Sequence, residues 1–158
     1  MGFTKGLAIQ ITPHHNGEIF LSSSAASQNP SFFGIPFTGS TTPKLAGQNP
    51  SYPQRVPDPR CNIEVFDVND TLIMQLLAYE LNMVYYSRKD EIRITASPLV
   101  PVVPAYSVML MTISSTPGID YDLKIYTPQS LSYQSVKTLC NQKMPSGGNP
   151  DSRWFGWF

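Results

Sequence analysis

The sequence predicts a mainly β fold: an antiparallel β-sandwich or partial jelly roll with one short helix, a long extended N-terminal arm and an aromatic C-terminal tail. Two observations carry this. The first 60 of the 158 residues hold 8 of the 15 prolines and 6 of the 10 glycines, whereas residues 61–140 carry strand-forming segments of core composition. The chain then closes on Trp154-Phe155-Gly156-Trp157-Phe158, four large aromatics in five residues. A segment rich in Pro and Gly without hydrophobic periodicity builds no core of its own, so the expected organisation is an arm over 1–60, a β body over 61–140 and a tail over 141–158.

Within the arm, residues 7–11 and Glu18-Ile19-Phe20-Leu21 are expected to pair as a short hairpin around His14-His15-Asn16-Gly17, because Asn-Gly is a strong two-residue turn signal. From residue 22 to 60 the pattern dissolves into Ser, Thr, Pro, Asn and Gly. The tetrapeptide Gln-Asn-Pro-Ser occurs there twice, at 28–31 and 48–51, and is read as turns. Phe32, Phe33, Phe37 and Tyr52 stand singly in this stretch. A disordered linker has little use for such residues, whereas an arm that docks into grooves needs them.

The body opens with Cys61-Asn62-Ile63-Glu64-Val65, which alternates as a strand, and Phe66-Asp67-Val68 continues after a change of phase that suggests a bulge. Asn69-Asp70-Thr71 supplies cap residues, and Leu72, Ile73, Leu76, Leu77 and Leu81 fall at helical spacing, predicting a helix over 71–81. Met83-Val84-Tyr85-Tyr86 returns to strand composition, and residues 91–96 alternate. Pro98, Pro101 and Pro104 exclude a central strand between 98 and 104. Residues 107–113, apolar on both faces, and the alternating Tyr121-Asp122-Leu123-Lys124-Ile125-Tyr126 predict a hairpin with Val108, Leu110, Leu123 and Ile125 in the core. A further short strand is expected near 131–136.

Charge and spacing narrow the chemistry. Eleven basic and eleven acidic residues cancel, and only 14% of residues are charged, against about 25% in an average domain. A surface so poor in charge is expected to be partly covered. Direct binding of nucleic-acid phosphates needs clustered Lys and Arg, and Arg88-Lys89 is followed at once by Asp90-Glu91. His14 and His15 point to opposite faces of an extended strand and cannot jointly chelate one ion in that geometry. No cofactor or metal motif is present, nor any nucleophile elbow, so no catalytic residue is assigned. The longest apolar stretch, residues 72–86, is interrupted by Gln75, Glu80 and Asn82 and predicts no membrane span. Cys61 and Cys140 are read as buried free thiols; a bridge between them would close a long loop and add about 4 kcal/mol. No secretory signal is read at the N-terminus, and the reducing cytoplasm is the expected compartment. Asn69-Asp70-Thr71 also meets the glycosylation consensus, though the cap reading accounts for it.

Cys61-Asn-Ile-Glu-Val-Phe and the segment 107–128 ending in Tyr126-Thr127-Pro128 resemble, over residues 61–128, the capsid proteins of small icosahedral picorna-like RNA viruses. In those jelly rolls an acidic-apolar strand precedes a loop near a symmetry axis, and the last hairpin leads to a proline-led extension. A complete eight-stranded roll needs more chain than this body offers, and the 71–81 helix sits where loop or strand is expected. The resemblance therefore implies a minor, truncated or protruding capsid component, with other capsid subunits as partners and the virion, or host cytoplasm during assembly, as its location. Interface residues are then expected to be Phe32, Phe33, Phe37, Tyr52, Trp154, Phe155, Trp157 and Phe158, since buried aromatics anchor interfaces. The tail has a second reading, folded back on its own sheet. A carbohydrate- or receptor-binding β-sandwich is the alternative class, and a small Ser/Cys hydrolase the third.

Overall fold

The computed structural model describes residues 5–13, 15–21, 25, 28–33, 57–86, 91–143 and 153–158. They form two packed sheets. The strands are β1 Gly6–Ile11, β2 Glu18–Leu21, β3 Arg60–Phe66, β4 Leu72–Glu80, β5 Asn82–Tyr86, β6 Glu91–Thr95, β7 Ser107–Ile113, β8 Tyr121–Tyr126, β9 Gln142–Lys143 and β10 Trp154–Trp157. The larger sheet runs β4-β3-β8-β7-β1-β10-β9 and the smaller β2-β6-β5. Every pairing is antiparallel except β3 with β8.

Between the sheets lies one core. The larger sheet contributes Leu7, Ile9 and Ile11, Cys61, Ile63 and Val65, Met109 and Met111, Leu123 and Ile125. Ile19, Leu21, Met83, Ile92 and Ile94 face them from the smaller sheet. These positions are two apart along each strand, as the pleat requires. A second, smaller cluster covers the outer side of the larger sheet, where Ala8 and Val108 meet Tyr133, Val136 and Cys140.

The 107–126 hairpin forms in the expected place, with Val108 opposite Tyr126 and Ile113 opposite Tyr121. Val108, Leu123 and Ile125 are buried; Leu110 is only half-buried, packed on the outer cluster, and Met109 and Met111 take the inward positions. The expected bulge near Phe66 is present as a register shift between Val65 and Phe66, and a second shift falls between Cys61 and Ile63.

Four expectations are corrected. The 71–81 helix is the strand β4. Asn69 and Asp70 both have φ of 55°, and Thr71 N–H donates to the Val68 carbonyl. The triplet read as a cap is thus the tight turn of a β3–β4 hairpin, whose two central residues need positive φ. Asn and Asp serve either purpose, and the leucine spacing suits an amphipathic helix until β3 supplies a pairing partner.

The β1–β2 hairpin does not form, and β1 and β2 are strands of the two sheets. All six residues of β1 are buried, which demands neighbours on both edges and cover on both faces; it lies between β7 and β10, while β2 pairs with β6 in the other sheet. Gly17, at φ 87°, makes the crossover turn. Its carbonyl accepts the Ala96 N–H, and a Cβ there would strike the Ser97 backbone.

The strand expected near 131–136 is the helical turn Tyr133–Lys137, whose buried residues Tyr133 and Val136 are three apart, a helical interval. Finally, Trp154–Trp157 of the tail is the strand β10, the reading in which it folds back on its own sheet. Residues Leu7, Ala8 and Ile9 pair with Trp157, Gly156 and Phe155, so this part of the chain belongs to its own sheet.

Candidate assembly surface

The aromatic residues expected at an interface divide sharply. Pro30–Phe33 is a short helix, with Pro at the first position where its missing N–H costs nothing. It brings Phe32 and Phe33 onto the body. The Phe32 ring lies 5.2 Å from Phe33, 5.4 Å from Tyr121 and 5.1 Å from Trp157. The Tyr121 hydroxyl donates to the Phe32 carbonyl. Phe155 is 1% exposed in the same core. Phe158 packs on the outer cluster, and its backbone exchanges hydrogen bonds with Gly6 at 3.0 and 3.1 Å. Trp154 is exposed, its N–H held by the buried Gln10 side chain at 2.9 Å. Phe37 and Tyr52 lie outside the described residues.

Phe32, Phe33, Phe155 and Trp157 are thereby committed within this chain. Residues whose helical spacing implied a shared buried face meet water instead. Leu72, Ile73 and Leu77 of β4 are exposed, Leu77 to 69%, and so are Val68 at 53% and Leu131 at 70%. As a helix, Leu72, Ile73, Leu76, Leu77 and Leu81 would share one buried face; as a strand they divide, with Met74, Leu76 and Tyr79 packed on the core. The signal lies in the spacing but depends on which period applies.

Local geometry holds these side chains outward. The two register shifts place extra residues in β4 near Ile73 and near Leu77 and Ala78, and bulges of this kind re-aim side chains. Ala78 has φ of 51°, and its N–H donates to Asn62 Oδ1 at 3.0 Å. Below β4, Thr127 Oγ1 donates to Asp67 at 2.6 Å, while Ser132 donates to Asp70 from its N–H at 3.0 Å and its hydroxyl at 2.6 Å. These two carboxylates and a bridge between Val68 and Ser130 fix Val68 and Leu131 on a rigid rim. The Ser132 hydroxyl and N–H together hold the Asp70 carboxyl below the ordinary carboxylate range. Next to the rim, Phe66 and Tyr126 stack at 5.0 Å and 19°. Burial, then the charges of Asp70 and Glu64, push the Tyr126 phenol up.

Two clefts lie around Asp120 at the turn of the 107–126 hairpin. One, of about 290 Å³, is lined by Phe32, Ile113 and Tyr121; the other, of about 350 Å³, by Asp58, Arg60 and Glu80. Burial raises the Asp58 carboxyl, an Asn82 hydrogen bond opposes that, and the Glu80 charge adds to it. Among the described residues, no group of three or more His, Cys, Asp or Glu side chains is placed to hold a metal ion, and no helix is long and apolar enough to cross a membrane. Cys61 and Cys140 are buried thiols outside any disulfide, Cys61 in the core between the sheets and Cys140 in the outer cluster. The Cys140 thiol is pushed up to about 12 by burial. His15 lies on the exposed turn before β2, and His14 is outside the described residues. No protein-family model matches the sequence, and no curated protein matches it significantly.

Proposed function

We propose that this chain is a structural protein of a virus particle, a minor or protruding capsid component that docks on neighbouring capsid subunits. The observation that carries the reading is the long outer strand β4, with Leu72, Ile73 and Leu77 exposed on it and Val68 and Leu131 beside it. Isolated proteins protect such edges with charge, bulges or cover; β4 carries two bulges, but no charged residue occurs from 71 to 79 and its leucines stay exposed. The two-sheet sandwich and the low overall charge agree with a subunit whose surface is meant to be covered.

The docking role moves from the aromatic tail to β4 and its rim, because Phe155 and Trp157 serve this chain's own core. Thiol chemistry finds little support: nucleophilic cysteines need a lowered pKa and access, and Cys140 has the opposite. A carbohydrate- or receptor-binding module is the second reading, favoured by Trp154, whose exposed ring offers a stacking platform.

Negative-stain imaging of native material containing the chain tests the reading. Closed particles that co-sediment with the chain are expected. Native material that holds the chain free of any particle, with selective hits on a glycan array, would transfer support to the binding module.

A further inference from the structure

We infer that Asn16 is a site of self-modification: in the folded chain the Gly17 backbone nitrogen attacks the Asn16 side-chain amide, and the residue becomes aspartate and isoaspartate. The inference goes beyond the assembly reading and does not depend on it. Ring closure needs an N–H on the following residue and room beside it. Asn29, Asn49 and Asn149 precede proline, which has no N–H to give up. Asn62, Asn69, Asn82 and Asn141 precede Ile63, Asp70, Met83 and Gln142, whose side chains crowd the attack. Only Asn16 precedes glycine, where no side chain stands in the way.

The fold adds geometry to this sequence signal. Asn16 is exposed on the turn before β2, within reach of water. Its Oδ1 accepts the Glu18 N–H at 3.1 Å, and its Nδ2 donates to Glu18 Oε1 at 2.9 Å. The first bond spans Gly17 and folds the Asn16 side chain back along the Gly17 backbone, which supplies the proximity that closure needs. The same N–H polarises the Cγ carbonyl and stabilises the oxyanion formed on attack. In the balanced step the Gly17 N–Cγ bond forms and the Cγ–Nδ2 bond breaks. Gly17 gives its amide proton to water, Nδ2 takes up a proton and leaves as ammonia, and water then opens the succinimide at either carbonyl.

The two products differ in what they do to the fold. Aspartate keeps the bond from the Glu18 N–H but sets a second carboxylate against Glu18, whose Oε2 lies 3.3 Å from Arg93 Nη1. Isoaspartate lengthens the main chain by a carbon immediately before Gly17, where there is no slack. The Gly17 carbonyl accepts the Ala96 N–H at 2.9 Å, and a Cβ on Gly17 would already come within 2.6 Å of the Ser97 nitrogen. The isoaspartyl form therefore loosens the crossover between the sheets at the Gly17–Ala96 bond.

The test is incubation of the purified full chain in warm neutral buffer, sampled over days by peptide mapping at acid pH with fragmentation that resolves isoaspartate. Asn16 should convert at least about tenfold faster than any other asparagine of the chain, and the Ala96 amide should lose hydrogen-exchange protection as isoaspartate accumulates. Asn16→Gln keeps the amide but can close only a larger ring, and should keep both its mass and the Ala96 protection. Freshly prepared Asn16→Asp should also keep that protection, which separates the added charge from the added carbon. The position is exposed, and an unchanged circular dichroism spectrum shows that both variants fold. Asn16 that persists in the folded chain while converting in urea overturns the inference. Conversion spread evenly over the asparagines does so too, as does an Ala96 amide that loses protection equally fast in Asn16→Gln.

Discussion

The hydroxyl of Tyr121, on the inner face of β8, donates a hydrogen bond to the backbone carbonyl of Phe32, 89 positions earlier in the chain. This bond pins the Pro30–Phe33 helix over the edge of the core, with Trp157 closing the cluster from β10. Tyr121→Phe keeps the ring and leaves the buried carbonyl unpaired, and should cost about 1–3 kcal/mol. Urea unfolding followed by tryptophan fluorescence measures the loss, and no change would mean that the helix is held by its rings alone.

Deletion of residues 154–158 should abolish cooperative unfolding, because it strips β1 of one of its two partners and removes Phe155 from the core. Phe155→Ala alone should cost about 3–5 kcal/mol. Gly156→Ala tests the closeness of the packing: a Cβ there would collide with the Leu139 carbonyl oxygen, which is backbone and cannot swing aside. Thermal melts of the three variants should all fall below the parent.

The two faces of β7 are unequal. Met111 points into the core between the sheets and Leu110 onto the smaller outer cluster. Met111→Ala should cost about 2–5 kcal/mol. Leu110→Ala should cost less, since that side chain already keeps part of its surface in water; equal losses in urea titrations would contradict the assignment of faces.

Neither thiol should react with an aromatic disulfide reagent in the folded protein at mildly alkaline pH, since both are buried and the Cys140 thiol is held far above that pH. Two should react after denaturation without reductant. Cys61 and Cys140 occupy different clusters on opposite sides of the larger sheet, a placement that separates them beyond bridging distance.

Asp70 gives a pH dependence whose sign follows from its lowered pKa. Its contribution is complete above the ordinary carboxylate range and is lost as pH falls through the lowered folded-state value, when protonation weakens the two bonds from Ser132. Amide exchange at Ser132 should therefore accelerate, relative to intrinsic rates, on acidification. Asp70→Asn should remove that acid dependence while retaining the turn, because Asn tolerates the same positive φ.

Period-two segments bounded by turn residues determine much of this fold by local chemistry alone. The hairpin of residues 107–126, the strands at 61–66 and 91–95, the proline-interrupted 98–104 stretch and the two-layer β class all follow from alternation and from the properties of Pro and Gly. Pairing is decided only in three dimensions. Six consecutive buried residues in β1 do not say which strands flank them, and Asn16-Gly17 serves a crossover between sheets as readily as a hairpin. Leu72, Ile73, Leu76 and Leu77 satisfy a helical period and a bulged strand alike; β3, reached through the turn at Asn69 and Asp70, settles the choice by offering hydrogen bonds along one edge. The same ambiguity hides the candidate surface, because a helix would bury the leucines that β4 turns to solvent. The aromatic tail is visible in the sequence as something that must be covered, but apolar area is non-directional, and composition alone does not tell a chain's own sheet from a neighbour's. Backbone pairing with β1 supplies the direction that composition lacks.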